Sequence, residues 1–151
     1  MPATDTLEAA GFELDRANHT LRFIRDFAAP RERVFTAWTT PENVSVWWNA
    51  AGKPLTACEI DLRVGGAFSF VSPGFEEHPF AGIYREIDPP ALLSFTANNA
   101  TGFVRLAEHG GGTRMTVEIV CGSAEQLDAF IQMGVANGTS QTLDNLVGYL
   151  A

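Results

Sequence analysis

Few side chains in this sequence have the type and setting to move a proton. His78 stands in "FEEHPF", just ahead of Tyr84, Arg85 and Glu86 in "GIYREI". A Glu or His enclosed in an apolar cavity acquires the shifted pKa that acid–base chemistry requires, so Glu86, Tyr84 and His78 are the weak catalytic candidates. Against this, "GFEEHP" reads equally well as an exposed hairpin loop, and strand phase alone does not decide whether Tyr84 and Glu86 or Ile83 and Ile87 face inward. No catalytic residue is assigned. His19 and His109 fall in turn-like segments and read as solvated. Cys58 and Cys121 lie far apart without metal-type spacing, and read as small buried hydrophobes of a reducing compartment. No serine occupies a nucleophile elbow, and "GGG" at 110–112 joins two strands where a phosphate loop would join a strand to a helix. No metal and no cofactor are expected.

The aromatic residues are the more informative group. "TPENVSVWWNAAGKP" places Trp47 and Trp48 side by side, and each ring is costly to leave in water. Either both plug an open end of the core or one of them forms a lid over a hollow. "AFSF" sets Phe68 and Phe70 on one strand face, and "LLSFTA" carries Phe95. The expected apolar pocket is bordered by Trp47 or Trp48, Phe68, Phe70, Phe95 and Met115, with Tyr84 as a polar tip if it turns inward. Val135, Gly138 and Thr142 of the closing segment would form its other wall.

The elements that must position these groups follow from periodicity. "TLRFIRDF" alternates as a first strand, and "APRERVFTAWT" brings Val34, Phe35 and Trp38 to one face of a short helix. Thr40 before Pro41 marks the cap and first turn of a second short helix. Six strands then run in sequence through "ACEIDLRV", "AFSFV", "FAGIYREI", "ALLSFTA", "GFVRLAE" and "TRMTVEIV", joined by short Gly, Pro and Asn turns, which predicts an antiparallel meander. From about Glu125 to Leu150 a helical period returns, capped by Ser123. The expectation is a single α+β domain over 1–151, a curved seven-stranded antiparallel sheet wrapped around one long C-terminal helix. Residues 1–19 stand apart as a loosely ordered N-terminal extension.

Charge narrows the partners. Ten Lys and Arg against eighteen Asp and Glu give a net charge of −8, which repels nucleic acid. No apolar run reaches the ~18 residues of a membrane span, and "MPATDTLEAAG" has neither region of a signal peptide. A cytoplasmic location is expected.

Taken in order, "APRERVFTAWTTPENVSVWW", "DLRVGGAF", "GIYREIDPPALLSFT", "GGGTRMTV" and "NGTSQTLDNLVGYLA" resemble the bacterial homologues of the Hsp90 ATPase activator C-terminal domain, within the START-like (SRPBCC) superfamily. The resemblance runs from Leu21 to Ala151. It implies a helix-grip fold with a cavity between sheet and final helix, and a superfamily whose members mostly bind apolar small molecules or lipids. A few are cyclases, dehydratases or hydrolases. Relatives usually carry an aromatic ring where this chain has Ala97 and a Trp where it has Thr139, so both positions join the expected pocket as places where bulk is missing. Compensation by Phe95, Phe103, Met115 or Met133 would close the gap. The expected function is binding of a small apolar or lipid-like ligand. The alternatives are an Hsp90-type co-chaperone and a cyclase or hydrolase working in the same cavity, with a non-enzyme favoured. No additional N-terminal domain, of the kind the resemblance gives the eukaryotic activator for holding its client, is expected.

Overall fold

Alternation of apolar and polar residues, interrupted by turn residues, builds one large sheet. The computed structural model describes residues 4–7, 11–49 and 53–151, the first four by their backbone alone. Within them the strands are β1 (Thr4–Leu7), β2 (Phe12–Asp15), β3 (Thr20–Phe27), β4 (Ala57–Ile60), β5 (Ala67–Val71), β6 (Phe80–Asp88), β7 (Leu92–Ala97), β8 (Ala100–His109) and β9 (Gly112–Val120). All pair antiparallel, in the order β1-β2-β3-β9-β8-β7-β6-β5-β4. Between β3 and β4 stand α1 (Arg31–Thr39) and α2 (Pro41–Trp47), and after β9 come α3 (Ala124–Gln132) and α4 (Val135–Tyr149).

The α+β class and the meander agree with expectation, but three details are corrected. The sheet has nine strands among the described residues where seven were expected. The two added strands come from the supposed extension, since Phe12 and Leu14 are buried and β2 pairs with β3; part of residues 1–19 lies outside the described residues. The strand expected to run through "ACEIDLRV" ends at Ile60. Leu62 and Val64 are exposed in the turn, whose Asp61 and Arg63 side chains pair with each other.

The long final helix is divided. Gly134, at φ +80, caps the end of α3 in the left-handed conformation that a side chain disfavours, its amide bonding the Ile131 carbonyl at 3.1 Å. The apolar period continues across the break, which is why periodicity alone merges the two helices. Ser123 does cap α3, accepting from the Gln126 amide at 3.1 Å, and Gln126 returns the contact by accepting from the Gly122 amide at 2.7 Å.

Helix α4 lies against β3 and α2. It buries Ala136, Ser140, Leu143 and Leu146. The core runs from Phe12, Leu21 and Phe23 at one side to Phe68, Phe70 and Tyr84 at the other, with α1 and α2 covering the middle through Val34, Trp38, Val44 and Trp47.

Candidate functional site

The candidate site is an aromatic hollow between α1, the end of α2 and strands β5 to β7. Trp38 reaches it from α1 and Trp48 from the cap position of α2; Phe68 and Phe70 come from β5, Phe80 and Tyr84 from β6, and Leu93 and Phe95 from β7. Period-two alternation aims each strand pair at the same side. The unfilled space among these eight side chains is about 10 Å³, room for roughly one water molecule.

The rings hold one another in tilted and edge-on contacts. Phe68 is the hub, with centroids 5.2 Å from Phe70, 5.1 Å from Tyr84 and 5.3 Å from Phe95. Trp48 sits 4.9 Å from Phe70 and 5.0 Å from Phe80. Two glycines allow this crowding. Gly82 lies across the ladder from Phe68 and Gly102 across from Phe95, so each ring passes over backbone that carries no side chain.

The three tryptophans differ in how they are fixed. Trp38 Nε1 donates to Met115 Sδ at 3.3 Å, and Trp47 Nε1 donates to the Ala37 carbonyl at 3.0 Å. Both are buried. Trp48 is half-buried, and its indole N–H has no hydrogen-bond partner among the described residues.

Tyr84 is the polar group of the hollow. It is 2% exposed, yet its hydroxyl makes no hydrogen bond among the described residues. Burial, with a smaller contribution from nearby Cys58, pushes its phenol far above the ordinary tyrosine value, so it keeps its proton and is available as a donor. Cys58 is half-buried and Cys121 buried; both are free thiols, and burial raises each. Neither is poised as a thiolate nucleophile.

Of the pocket residues expected from sequence, the hollow gathers Trp48, Phe68, Phe70, Tyr84 and Phe95. Trp47 and Met115 stand behind it as fully buried supports of Trp38 and Trp48. Val135, Gly138 and Thr139 are half-buried on α4 and Thr142 is buried there, and none of the four borders the hollow. Ala97 lies at the end of β7 beside a polar surface groove with Arg85, Asn98 and Asn99. Among the weak catalytic candidates only Tyr84 faces inward. A bulge between Tyr84 and Glu86 breaks the strand phase and leaves Arg85 and Glu86 both exposed. His78 is exposed in the β5–β6 loop. His109 is exposed too, whereas His19, expected to be solvated, is half-buried with its Nδ1 enclosed.

Sequence reasoning missed Phe80, Leu93 and the inward role of Trp38. Phe80 shares its phase with Tyr84 four residues on, and Leu93 shares it with Phe95, so period two held the signal for both. The hollow thus combines seven aromatic rings, one leucine and no charge, which suits it to hold an apolar body rather than to transfer protons. Among the described residues no group of three or more His, Cys, Asp or Glu could hold a metal ion, and no helix is long and apolar enough to cross a membrane.

A family model described as "Activator of Hsp90 ATPase homolog 1-like protein" matches residues 28–151. Solved START-like bacterial proteins share the fold. A Mycobacterium smegmatis protein is 27% identical at a TM-score of 0.78, over 92% of this chain and 95% of that one. A Nitrosomonas europaea protein is 24% identical at 0.78, over 87% and 93%, and an Arthrobacter aurescens protein 22% identical at 0.77, over 92% and 90%. No curated protein matches the chain.

Proposed function

The chain belongs to the activator of Hsp90 ATPase homolog 1-like family, and from that premise we propose that it binds a small apolar or lipid-like molecule in the aromatic hollow. The observation that carries this reading is the uncharged lining of Trp38, Trp48, Phe68, Phe70, Phe80, Tyr84, Leu93 and Phe95, which includes one tryptophan without a hydrogen bond to fix it. The resemblance implies a cavity between the sheet and the final helix, whereas the hollow is lined from α1, the end of α2 and strands β5 to β7 and takes no residue of α4. Catalysis is not part of the proposal, because Glu86 and His78 are exposed and Tyr84 has no acid–base partner.

Titration with a hydrophobic dye and a panel of apolar molecules, followed by tryptophan fluorescence, tests the reading. Saturable binding that weakens in Phe68→Ala is expected. No response across a broad panel would exclude it. The family match makes a chaperone-type partner the second reading, and stimulation of an Hsp90-type ATPase by the protein with no ligand effect would favour it.

A further inference from the structure

We propose, building on the ligand-binding reading above, that the hollow selects an uncharged ligand with one hydrogen-bond-accepting oxygen, held by the Tyr84 hydroxyl, whose apolar body enters by displacing the Trp48 indole. Three observations meet here. The first is volume. A space of about 10 Å³ accepts roughly one water, so any organic ligand must take the place of a ring. Trp38 and Trp47 are buried and each donates its N–H to a fixed acceptor, whereas Trp48 is half-buried, is held by ring contacts without a hydrogen bond, and sits at the cap position after the last residue of α2. Among the tryptophans Trp48 is therefore the ring that leaves at least cost. The slot it vacates lies between Phe70 and Phe80.

The second observation is polarity. Tyr84 is buried as a residue, but its hydroxyl makes no hydrogen bond among the described residues and keeps a small accessible surface, so its donor is open to a ligand oxygen. A ketone, ester, ether or alcohol oxygen meets that requirement. The third is charge. None of the eight lining side chains is charged, so a carboxylate carried inside would lose its water and find no counter-ion. Free fatty acids and aromatic acids are thus excluded from the class, although their apolar bodies would fit.

Two matched series test this by calorimetry at neutral pH: hexyl methyl ketone, octane and octanoate; and acetophenone, ethylbenzene and benzoate. In at least one series the ketone should bind about three- to tenfold more weakly to Tyr84→Phe than to the parent, the span of one net hydrogen bond, and the carboxylate should be the weakest binder of the parent. Tyr84→Phe should leave the hydrocarbon unchanged. Trp48→Ala, checked for folding by circular dichroism and backed by Trp48→Phe, should tighten binding of ketone and hydrocarbon alike, because no ring then has to be displaced. Carboxylates binding as tightly as ketones, an unaltered ketone affinity in Tyr84→Phe, or weaker binding in both Trp48 variants would overturn the proposal while leaving the ligand-binding reading in place. Absence of binding in both series and with the dye panel would overturn the two together.

Discussion

Gly102 lies directly across the β7–β8 ladder from Phe95, and a Cβ on that glycine would stand 2.6 Å from the Phe95 ring. Carbon atoms do not approach so closely, so an added methyl must push the ring toward the hollow or move the strand. Gly102→Ala is expected to lower stability by ~1–3 kcal/mol through overpacking, and to change the affinity of any molecule that binds beside Phe95. Gly138 provides the contrast. A Cβ there meets nothing within 4 Å, and the residue lies within α4, so Gly138→Ala should stabilise by roughly 0.5–1 kcal/mol and leave binding unchanged. Thermal melts of the two variants with and without a hydrophobic dye separate the effects.

The adjacent tryptophans should respond unequally to truncation. Trp47 is 1% exposed and anchored on the Ala37 carbonyl, so Trp47→Ala leaves a cavity and an unpaired carbonyl, at a cost of ~3–5 kcal/mol. Trp48→Ala removes a half-buried ring without a hydrogen bond, and the loss should be clearly smaller. Urea unfolding of both variants measures the difference; equal losses would show that Trp48 is as much a core residue as Trp47.

Residue types and spacing carried the α+β class, the two tandem helices and the phase of β5 and β7, because each rests on local periodicity that burial reinforces. What they did not carry depends on single residues acting against that periodicity. Gly134 breaks a helix whose apolar stripe continues on both sides, and the bulge after Tyr84 turns Glu86 outward although it is two residues from an inward ring. Placement of the hollow is the larger lesson. Thr139 and Ala97 point to missing bulk only if they face the space, and α4 instead lies over β3, leaving the aromatic end of the sheet to α1 and α2. No local pattern states which helix covers which strands.

Stability should fall in acid for a specific reason. The Asn18 side chain, 2.9 Å from Asp15, holds that carboxyl below its ordinary value despite burial, with Arg22 adding to the effect. Arg114 does the same for Asp26 through bonds of 2.8 and 2.9 Å. Both folded-state values lie below the unfolded value of about 3.9, so their stabilisation is fully present above that pH and is lost as pH falls through the lower folded values. The melting temperature should therefore decline below about pH 4. Asp15→Asn should lower it at neutral pH, with the gap to the parent narrowing as the solution is acidified. A gap that stays constant with pH would mean that Asp15 acts through its shape alone.

Arg25 on β3 is expected to hold α4 to the sheet. Its Nε donates to Asp144 at 2.8 Å, its Nη2 to the Ser140 hydroxyl at 2.8 Å, and its Nη1 to the Gly11 carbonyl at 2.9 Å, so one guanidinium joins β3, α4 and the residue leading into β2. The Arg25 side chain is largely enclosed while Asp144 is exposed, so the bonds to Gly11 and Ser140 are the ones better shielded from water. Arg25→Ala should cost about 2 kcal/mol, since charge-assisted bonds exceed neutral ones and the Gly11 carbonyl loses this donor. Arg25→Lys keeps the charge but offers a single point where three directions are needed, so it should recover less than half of the loss. Hydrogen exchange identifies the element affected. Amides of α4 should exchange faster in Arg25→Ala while the β8–β9 ladder keeps its protection. Full recovery by lysine, or equal loosening of the ladder, would show that Arg25 contributes charge alone and does not tie the helix to the sheet.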